Sequence, residues 1–146
     1  MFVEQMMDKA RERLVVVDTT APVRTAAALL SRAKVALIVV RGGDGHMVGV
    51  VGKTDIVAQM GRCGGGACEA RVDTIMTRDV VHCRPEDALH DVWTVMSERG
   101  LLRVPVIDAG GTAIGIVYAR DALPNLLAEV ESEEQLMRDY VMNVGY

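Results

Sequence analysis

The chain has 146 residues, half of them hydrophobic, which is enough for one domain or two small ones with a packed core. Its net charge is -4 and only 3% of its residues are aromatic, so it lacks the positive field and the stacking surfaces of nucleic-acid-binding proteins. No apolar run approaches the roughly 20 residues of a membrane span, and the charged N-terminus is unlike a signal peptide; we therefore expect a cytoplasmic protein.

The first part of the chain predicts the order β-α-β-β-α. An extended segment, 14–20, leads into an amphipathic helix over 23–34. Strands over 35–40 and 47–52 flank a Gly-rich turn and form a hairpin. A second helix is expected to begin at or just after Asp55.

The second part of the chain predicts the same order again. Gly100 is expected to end its first helix, and Asp121 to mark the start of its second one. The C-terminal tail alternates apolar and acidic residues at helical spacing, so its acidic side is either a solvated face or a partner-docking surface. The predicted elements are an extended segment over 80–87, a helix over 88–99, strands over 101–107 and 113–118, and the tail helix.

An internal repeat explains this similarity. Residues 23–55 align with residues 89–121 without a gap, at a constant shift of 66 positions (115 minus 49), and many other positions stay apolar in both copies. The identical pairs are Ser31 and Ser97, Val40 and Val106, Gly45 and Gly111, Gly49 and Gly115, Val51 and Val117, and Asp55 and Asp121.

The predicted domains follow from the repeat. Residues 1–62 form the first repeat, 63–70 a Gly-rich linker, and 71–146 the second repeat with its acidic C-terminal helix. One unit alone leaves an open sheet edge and an apolar face, so we expect the two sheets to pack together.

Three cysteines, Cys63, Cys68 and Cys83, are expected to be reduced thiols, since their number is odd and no export signal is present. Together with His82 they have the chemistry of zinc ligands. However, neighbouring strand residues point to opposite faces, so His82 and Cys83 cannot converge on one ion, and no metal site is predicted. A redox role for Cys63 and Cys68, with only Arg62 as a basic neighbour, stays an alternative.

Three stretches of the second copy carry a family resemblance: "IMTRDVV" before it, "RVPVID" on its first hairpin strand and "GIVYARDAL" at its end. With the duplication, they resemble a tandem pair of CBS domains, also called a Bateman module, over about residues 3 to 140. The resemblance implies an α/β fold of two β-α-β-β-α CBS repeats packed with pseudo-twofold symmetry. It also implies a regulatory module without catalytic activity or a required cofactor, in which two clefts bind an adenine nucleotide such as AMP, ADP or ATP. Family members commonly form homodimers.

The resemblance also implies roles for individual residues. Asp55 and Asp121 correspond to the aspartates that accept hydrogen bonds from the ribose hydroxyls. Three positions earlier, where the family has Ser or Thr near the phosphate, this chain has Gly52 and Tyr118. The residues expected to meet phosphate instead are Lys53, Thr54 and Arg120, and Tyr118 is expected to belong to the pocket around Asp121.

The remaining pocket residues are carried over in the same way. Around Asp121, the resemblance implies Val81, His82, Cys83, Val104 and Pro105. Around Asp55, it implies Val17, Asp18, Thr19, Ile38 and Val39. The alternative interpretation is that the two aspartates only cap their helices and that the apolar residues are ordinary core.

Two functional hypotheses remain. The first is a non-catalytic module that senses an adenine nucleotide and regulates an unidentified protein partner in trans. The second is a ligand-free scaffold that acts by dimerisation and partner docking. An enzyme is disfavoured, since the sequence contains no GxxxxGK[ST], no HExxH, no GxGxxG after the first strand and no nucleophile elbow.

Overall fold

The computed structural model describes residues 1–62 and 69–144. Its helices are α1 (Met7–Arg13), α2 (Val23–Leu30), α3 (Lys53–Met60), α4 (Leu89–Arg99) and α5 (Ala119–Val144). Its strands are β1 (Val16–Asp18), β2 (Leu37–Arg41), β3 (Met47–Gly52), β4 (Arg103–Ile107) and β5 (Ala113–Tyr118). Short 3-10 turns lie at Val3–Met6 and Val72–Thr74. The predicted Gly-rich linker lies mostly outside the described residues, as do Cys63 and Cys68.

The strands form two small sheets, one in each repeat. In the first, β1 runs parallel to β2, and β2 pairs antiparallel with β3. In the second, β4 pairs antiparallel with β5. The predicted order is confirmed with one exception: the leading strand of the second repeat is reduced to a single parallel bridge between Cys83 and Val106.

Pro105 explains the missing strand. In the first repeat, the backbone N–H of Val39 donates to the carbonyl of Val15 at 2.8 Å. Pro105 occupies the position equivalent to Val39 and has no N–H, so the carbonyl of Val81 receives no such hydrogen bond. The ladder therefore ends at Cys83.

The two hairpins share their irregular features, as the repeat predicts. Gly45 and Gly111 adopt the left-handed region, with φ of +87° and +86°. Both hairpins also shift register at equivalent places, after Val40 and after Val106. The glycines are identical in the two copies because a residue with a Cβ is strained at this φ.

Helix boundaries differ in part from the prediction. Gly100 ends α4 with φ of +66°, as expected. In contrast, α3 and α5 begin at Lys53 and Ala119, two residues before the aspartates, so the predicted start at or after them is wrong. The physical reason is visible in α3: the Asp55 carboxylate reaches back to accept the Gly52 N–H at 2.9 Å, which requires it to be the third helical residue. α2 ends at Leu30, four residues before the predicted end.

The core of each repeat includes side chains from a segment that lies just before the other repeat along the chain. The core of the second repeat contains Val3, Met6, Met7 and Ala10, which belong to the N-terminal segment. The core of the first repeat contains Val72 and Met76, which follow the linker. The predicted domain bounds stay a prediction, but the packing exchanges these segments between the repeats.

Two glycines permit this exchange. A Cβ at Gly115 would lie 2.9 Å from the Cβ of Ala10, and one at Gly49 would lie 2.7 Å from Met76 Sδ and from the carbonyl oxygen of Thr77. Ala10 and Met76 are themselves 66 positions apart, like the glycines. The repeat therefore extends into the exchanged segments.

The two sheets face each other, as predicted, across a core to which both repeats contribute. Val39 and Val50 come from the first sheet, and Ile116 and Tyr118 from the second. This core leaves the starts of α3 and α5 at the boundary between the repeats. Within residues 1–62 and 69–144, no helix has the length and apolar character needed to cross a membrane.

Candidate ligand clefts

The two ribose-anchor candidates occupy equivalent places, in the first turns of α3 and α5. The Asp55 carboxylate accepts the Gly52 N–H through Oδ2 and the Thr77 hydroxyl through Oδ1, the latter at 3.4 Å. Neither contact is with a cation, so Asp55 keeps capacity to accept further hydrogen bonds.

Asp121, in contrast, is held by Arg13. Nε of Arg13 donates to Asp121 Oδ2 at 2.8 Å, and Nη2 donates to Oδ1 at 3.0 Å. The two side chains are only 11% and 9% exposed. The hydrogen bond from Arg13 lowers the pKa of Asp121, and the same bond raises the pKa of Arg13. The pair is a bidentate, charge-assisted clamp across 108 positions of the chain.

The two clefts therefore differ. Asp79 lies 66 positions after Arg13 and is its equivalent at the first cleft. It is an exposed carboxylate, which cannot pair with the like charge of Asp55. Positions equivalent to Arg103 and Arg120 are Leu37 and Thr54, which carry no charge. The first cleft is thus unclamped, with Lys53 as the cation among its predicted site residues, whereas the second is clamped and has Arg13, Arg103 and Arg120.

Tyr118 lies at the centre of the second cleft. It is 2% exposed, and its phenolic oxygen accepts the N–H of Ala36 from the first repeat at 3.1 Å. Three guanidinium groups surround its ring, with distances to the ring centroid of 4.5 Å for Arg13, 5.4 Å for Arg103 and 5.9 Å for Arg120. The cations stack on the electron-rich faces of the ring and place positive charge beside Asp121.

Two of these cations form no ion pair within 4 Å in the described part of the chain. Nε of Arg103 is buried and makes no hydrogen bond there, and Arg120 is exposed, near enough to Asp121 to contribute to its lowered pKa. A buried guanidinium N–H without a partner is costly. The second cleft therefore has a surplus of positive charge that suits an anion.

A cavity of about 160 Å³ lies beside the second sheet. It brings together Val81, His82, Cys83 and Val104, four of the residues expected around Asp121, but Asp121 itself does not line it. The pocket instead includes Asp87 and Asp91, and it is smaller than the roughly 300 Å³ of common ligand pockets. The remaining lining residues are Ala88, Val92 and Val95.

The chemistry of this cavity is apolar with an acidic rim. Burial raises the pKa of the Cys83 thiol to about 12, so the thiol stays protonated. His82 is exposed, with Nδ1 3.2 Å from the Val80 carbonyl oxygen. Pro105, predicted to line the same pocket, is buried in β4 and does not border the cavity.

The pocket residues predicted around Asp55 have more varied positions. Val17 and Ile38 lie in the core of the first repeat, and Val39 lies in the core between the repeats. Asp18 is exposed and forms a 3.0 Å ion pair with Arg41. Three further predicted residues are Thr19, which is half-buried, and Lys53 and Thr54, which are exposed at the start of α3.

Sequence reasoning missed Arg13, Thr77 and Arg103. Arg13 and Thr77 reach the aspartates only because the exchanged segments cross to the other repeat. The pairing of Gly49 with Met76 and of Gly115 with Ala10 is visible in the structure only, and the sequence contains no direct signal for that exchange. Nothing in the sequence marks Arg103 as a neighbour of Tyr118. Arg103 lies within a predicted strand, where a polar residue among apolar ones is ordinary.

Comparison with known proteins decides the family. The CBS domain model matches residues 3–62 and again residues 72–128. The chain belongs to the CBS domain family. CBS domains are generally regulatory, non-catalytic modules, and no catalytic family is indicated for this chain.

Solved CBS structures show the same fold. A CBS-domain containing protein from Agrobacterium tumefaciens is 26% identical, with a TM-score of 0.73 over 86% of this chain and 98% of that chain. CBSX2, solved in complex with AMP, is 28% identical, with a TM-score of 0.73 over 87% of this chain and 96% of that one. The fold prediction of two paired CBS repeats is therefore confirmed.

A curated relative is longer than this chain. An uncharacterized protein from Methanopyrus kandleri is 25% identical over 123 residues, which cover 80% of this chain and 63% of that protein. The chain thus spans less than two thirds of the length of this relative.

Proposed function

We propose that this chain is a non-catalytic sensing module that binds an adenine nucleotide between its two CBS repeats, with the second cleft as the main site. Its likeness to CBSX2 supports this, since that protein was solved with AMP and aligns with 87% of the chain at 28% identity. The aspartates at equivalent positions of α3 and α5 supply acceptors for ribose hydroxyls.

The surplus cations beside Tyr118 are the observation that carries the proposal. Arg103 has a buried Nε without a described partner, and Arg120 is exposed next to Asp121. Guanidinium groups match phosphate oxygens with forked hydrogen bonds. A nucleotide phosphate therefore supplies the anion that the second cleft lacks, while its ribose meets Asp121.

Arg13 makes this site a switch. The Arg13 guanidinium binds both oxygens of Asp121, and the carboxylate is only 9% exposed, so a ribose reaches it by displacing Arg13. The released guanidinium can turn to phosphate. Because Arg13 ends α1, which packs on β5 of the second repeat, binding changes how the N-terminal segment is held. Typical coupling energies for such a change are about 1–3 kcal/mol.

The scaffold hypothesis rests on a different observation. Tyr118 is 2% exposed, and Asp121 is 9% exposed with both oxygens bound by Arg13, so the second cleft is closed. If the clamp is only structural, the module acts through its surfaces and no nucleotide changes its stability.

A thermal-shift screen separates the two functions. AMP, ADP, ATP, NAD and S-adenosylmethionine are added to the 146-residue chain; a ligand at one hundred times its dissociation constant adds about 2.7 kcal/mol to the free energy of unfolding. Asp121→Asn removes the negative charge and one of the two acceptor oxygens with little change in shape, and Asp8→Asn, on the exposed side of α1, is the matched control. The sensing function requires that Asp121→Asn at least halve the stabilisation at the same ligand concentration and that Asp8→Asn retain it in full. No shift with any ligand supports the scaffold.

A further inference from the structure

The C-terminal helix α5 extends beyond the body of the second repeat. Ala122 lies in the core of that repeat, and Leu126 packs against the same core. From Glu131 to Met142, in contrast, every side chain is exposed. We call residues 131–142 the distal segment of α5. At the usual rise per residue, the segment is about 18 Å long.

One side of the distal segment is apolar. Leu136, Met137, Tyr140 and Val141, which we call the stripe, are each 65–66% exposed. Their spacings of one, three and four residues place them on one face of the helix. A helical segment of this length is marginal in water unless its apolar face is packed. The stripe therefore has the features of a surface that another helix covers.

A turn of carboxylates interrupts the apolar face just before the stripe. Val130, Glu134 and Met137 are spaced by four and three residues, as the seam positions of a heptad repeat are, and Val141 continues the seam. Glu134 thus occupies a position at which coiled coils normally have an apolar residue. Glu133 lies beside it, on the side of the helix that carries Leu136. Burial of such a carboxylate under a partner helix is costly unless the partner supplies a cation.

The chain itself supplies no such cation. Residues 129–142 contain five acidic residues, and Arg138 is the single basic one. Within residues 1–62 and 69–144, Glu131, Glu133 and Glu134 form no ion pair within 4 Å. The segment therefore combines an apolar stripe with unpaired negative charge.

The same charge makes a second copy of α5 a poor occupant of the stripe. In a parallel pair, or in an antiparallel pair centred on the acidic turn, Glu134 of one copy faces Glu134 of the other, and like charges repel. A register that avoids this contact buries Glu134 against apolar side chains without a cation. The segment thus favours a partner of opposite charge.

We propose that the distal segment of α5 binds an amphipathic basic helix of another protein. The apolar side of that helix covers the stripe, and its Lys or Arg side chains meet Glu133 and Glu134, so that the buried carboxylates are paired. Leu136 lies 15 positions after Asp121 (136 minus 121), so about 22 Å of helix separates the stripe from the start of α5. The proposal is independent of nucleotide binding at the second cleft.

Fluorescence anisotropy with a synthetic helix tests the chemistry of the partner. The probe is a labelled peptide of about three heptads, with leucine at the seam positions, one lysine at a central seam position and lysines on both flanks. The 146-residue chain should bind it at least about tenfold more tightly than the same peptide with glutamate in place of every lysine. Equal binding of the two peptides, or no binding of the basic one, overturns the proposal.

Matched charge reversals then test the position of the site on the helix. Glu134→Lys should raise the dissociation constant of the basic peptide at least about tenfold and should allow the acidic peptide to bind. Asp139→Lys makes the same change of charge on the side of the helix away from the stripe and should change the affinity by less than about twofold. Circular dichroism checks that both variants stay helical. Equal effects of the two reversals would mean that only net charge matters, which overturns the proposal.

Two other occupants of the stripe are tested with Met137→Asp. Sedimentation velocity compares its mass with that of the parent chain, and a lower mass would show that a second copy covers the stripe. Cosedimentation with vesicles of anionic phospholipid, which the carboxylates should repel, tests a lipid surface. The proposal predicts that Met137→Asp loses the basic peptide, that its mass is unchanged and that neither chain binds vesicles. Retained peptide binding, a reduced mass or vesicle binding by the parent chain overturns the proposal.

Discussion

Arg13 clamps Asp121 with two hydrogen bonds of 2.8 and 3.0 Å, so the residue best placed to anchor a ribose is already bound by the chain's own N-terminal segment. The equivalent residue in the first repeat is Asp79, which leaves Asp55 unclamped. The two clefts of the duplicated fold thus differ in charge at three equivalent positions, of which Arg13 and Asp79 decide the clamp. Under the proposed function, this asymmetry links ligand binding to the position of α1 at the second cleft.

Removal of the clamp should destabilise the protein. Arg13→Ala leaves the nearly buried Asp121 carboxylate without its donors, and we expect the free energy of unfolding to fall by about 1–3 kcal/mol. Urea denaturation measures it, with the exposed Arg11→Ala as control. Equal stability of the two variants would contradict this view of the clamp.

The clamp should also give the protein a specific sensitivity to acid. The pKa of Asp121 is lowered in the folded state, so its contribution is complete above the unfolded value of about 3.9 and is lost as pH falls through the folded pKa. The stability difference between the parent chain and Arg13→Ala should therefore be constant from pH 7 to pH 5 and shrink below pH 4. A difference that stays constant to pH 2 would show that Asp121 is not part of it.

The exchange of segments depends on close backbone contact at Gly49. Gly49→Ala places a Cβ 2.7 Å from the Thr77 carbonyl oxygen, which cannot move as a flexible side chain can. We expect a loss of about 1–3 kcal/mol. Gly43→Ala is the matched control, since nothing lies within 4 Å of its Cβ. Melting temperatures that agree for the two variants would refute the contact.

Tyr118 should stabilise the boundary between the repeats through its hydroxyl group. Tyr118→Phe leaves the half-buried N–H of Ala36 without its acceptor and is expected to cost about 0.5–1.5 kcal/mol. Tyr140→Phe, at a site 66% exposed, should have no measurable effect on thermal unfolding. A neutral Tyr118→Phe would mean that the hydrogen bond does not contribute to stability.

The sequence predicted the fold well because the two copies of the repeat could be compared with each other position by position. Gly45 and Gly111 are identical and share one backbone conformation, and Gly100 ends α4 as its position indicated. The absence of a full leading strand in the second repeat was also predictable, because Pro105 cannot donate where Val39 does. These features depend on local rules of backbone geometry.

The site was harder to predict because its contacts are not local. Arg13 and Asp121 are 108 positions apart, and no periodicity relates them. Tyr118 was predicted as a pocket residue at the position of the family's Ser or Thr, but its contacts were not predicted: its hydroxyl accepts a hydrogen bond, and three guanidinium groups lie over its ring. Side chains from exchanged segments therefore determine the chemistry of a cleft whose backbone the sequence predicts.

Titration calorimetry with AMP is the most direct test of nucleotide sensing at the second cleft. The parent chain should bind AMP, Asp121→Asn should weaken binding at least about tenfold by removing a charged acceptor, and Asp8→Asn should bind as the parent does. A parent chain that releases no heat with AMP at several temperatures, or an Asp121→Asn variant with unchanged affinity, would contradict the account.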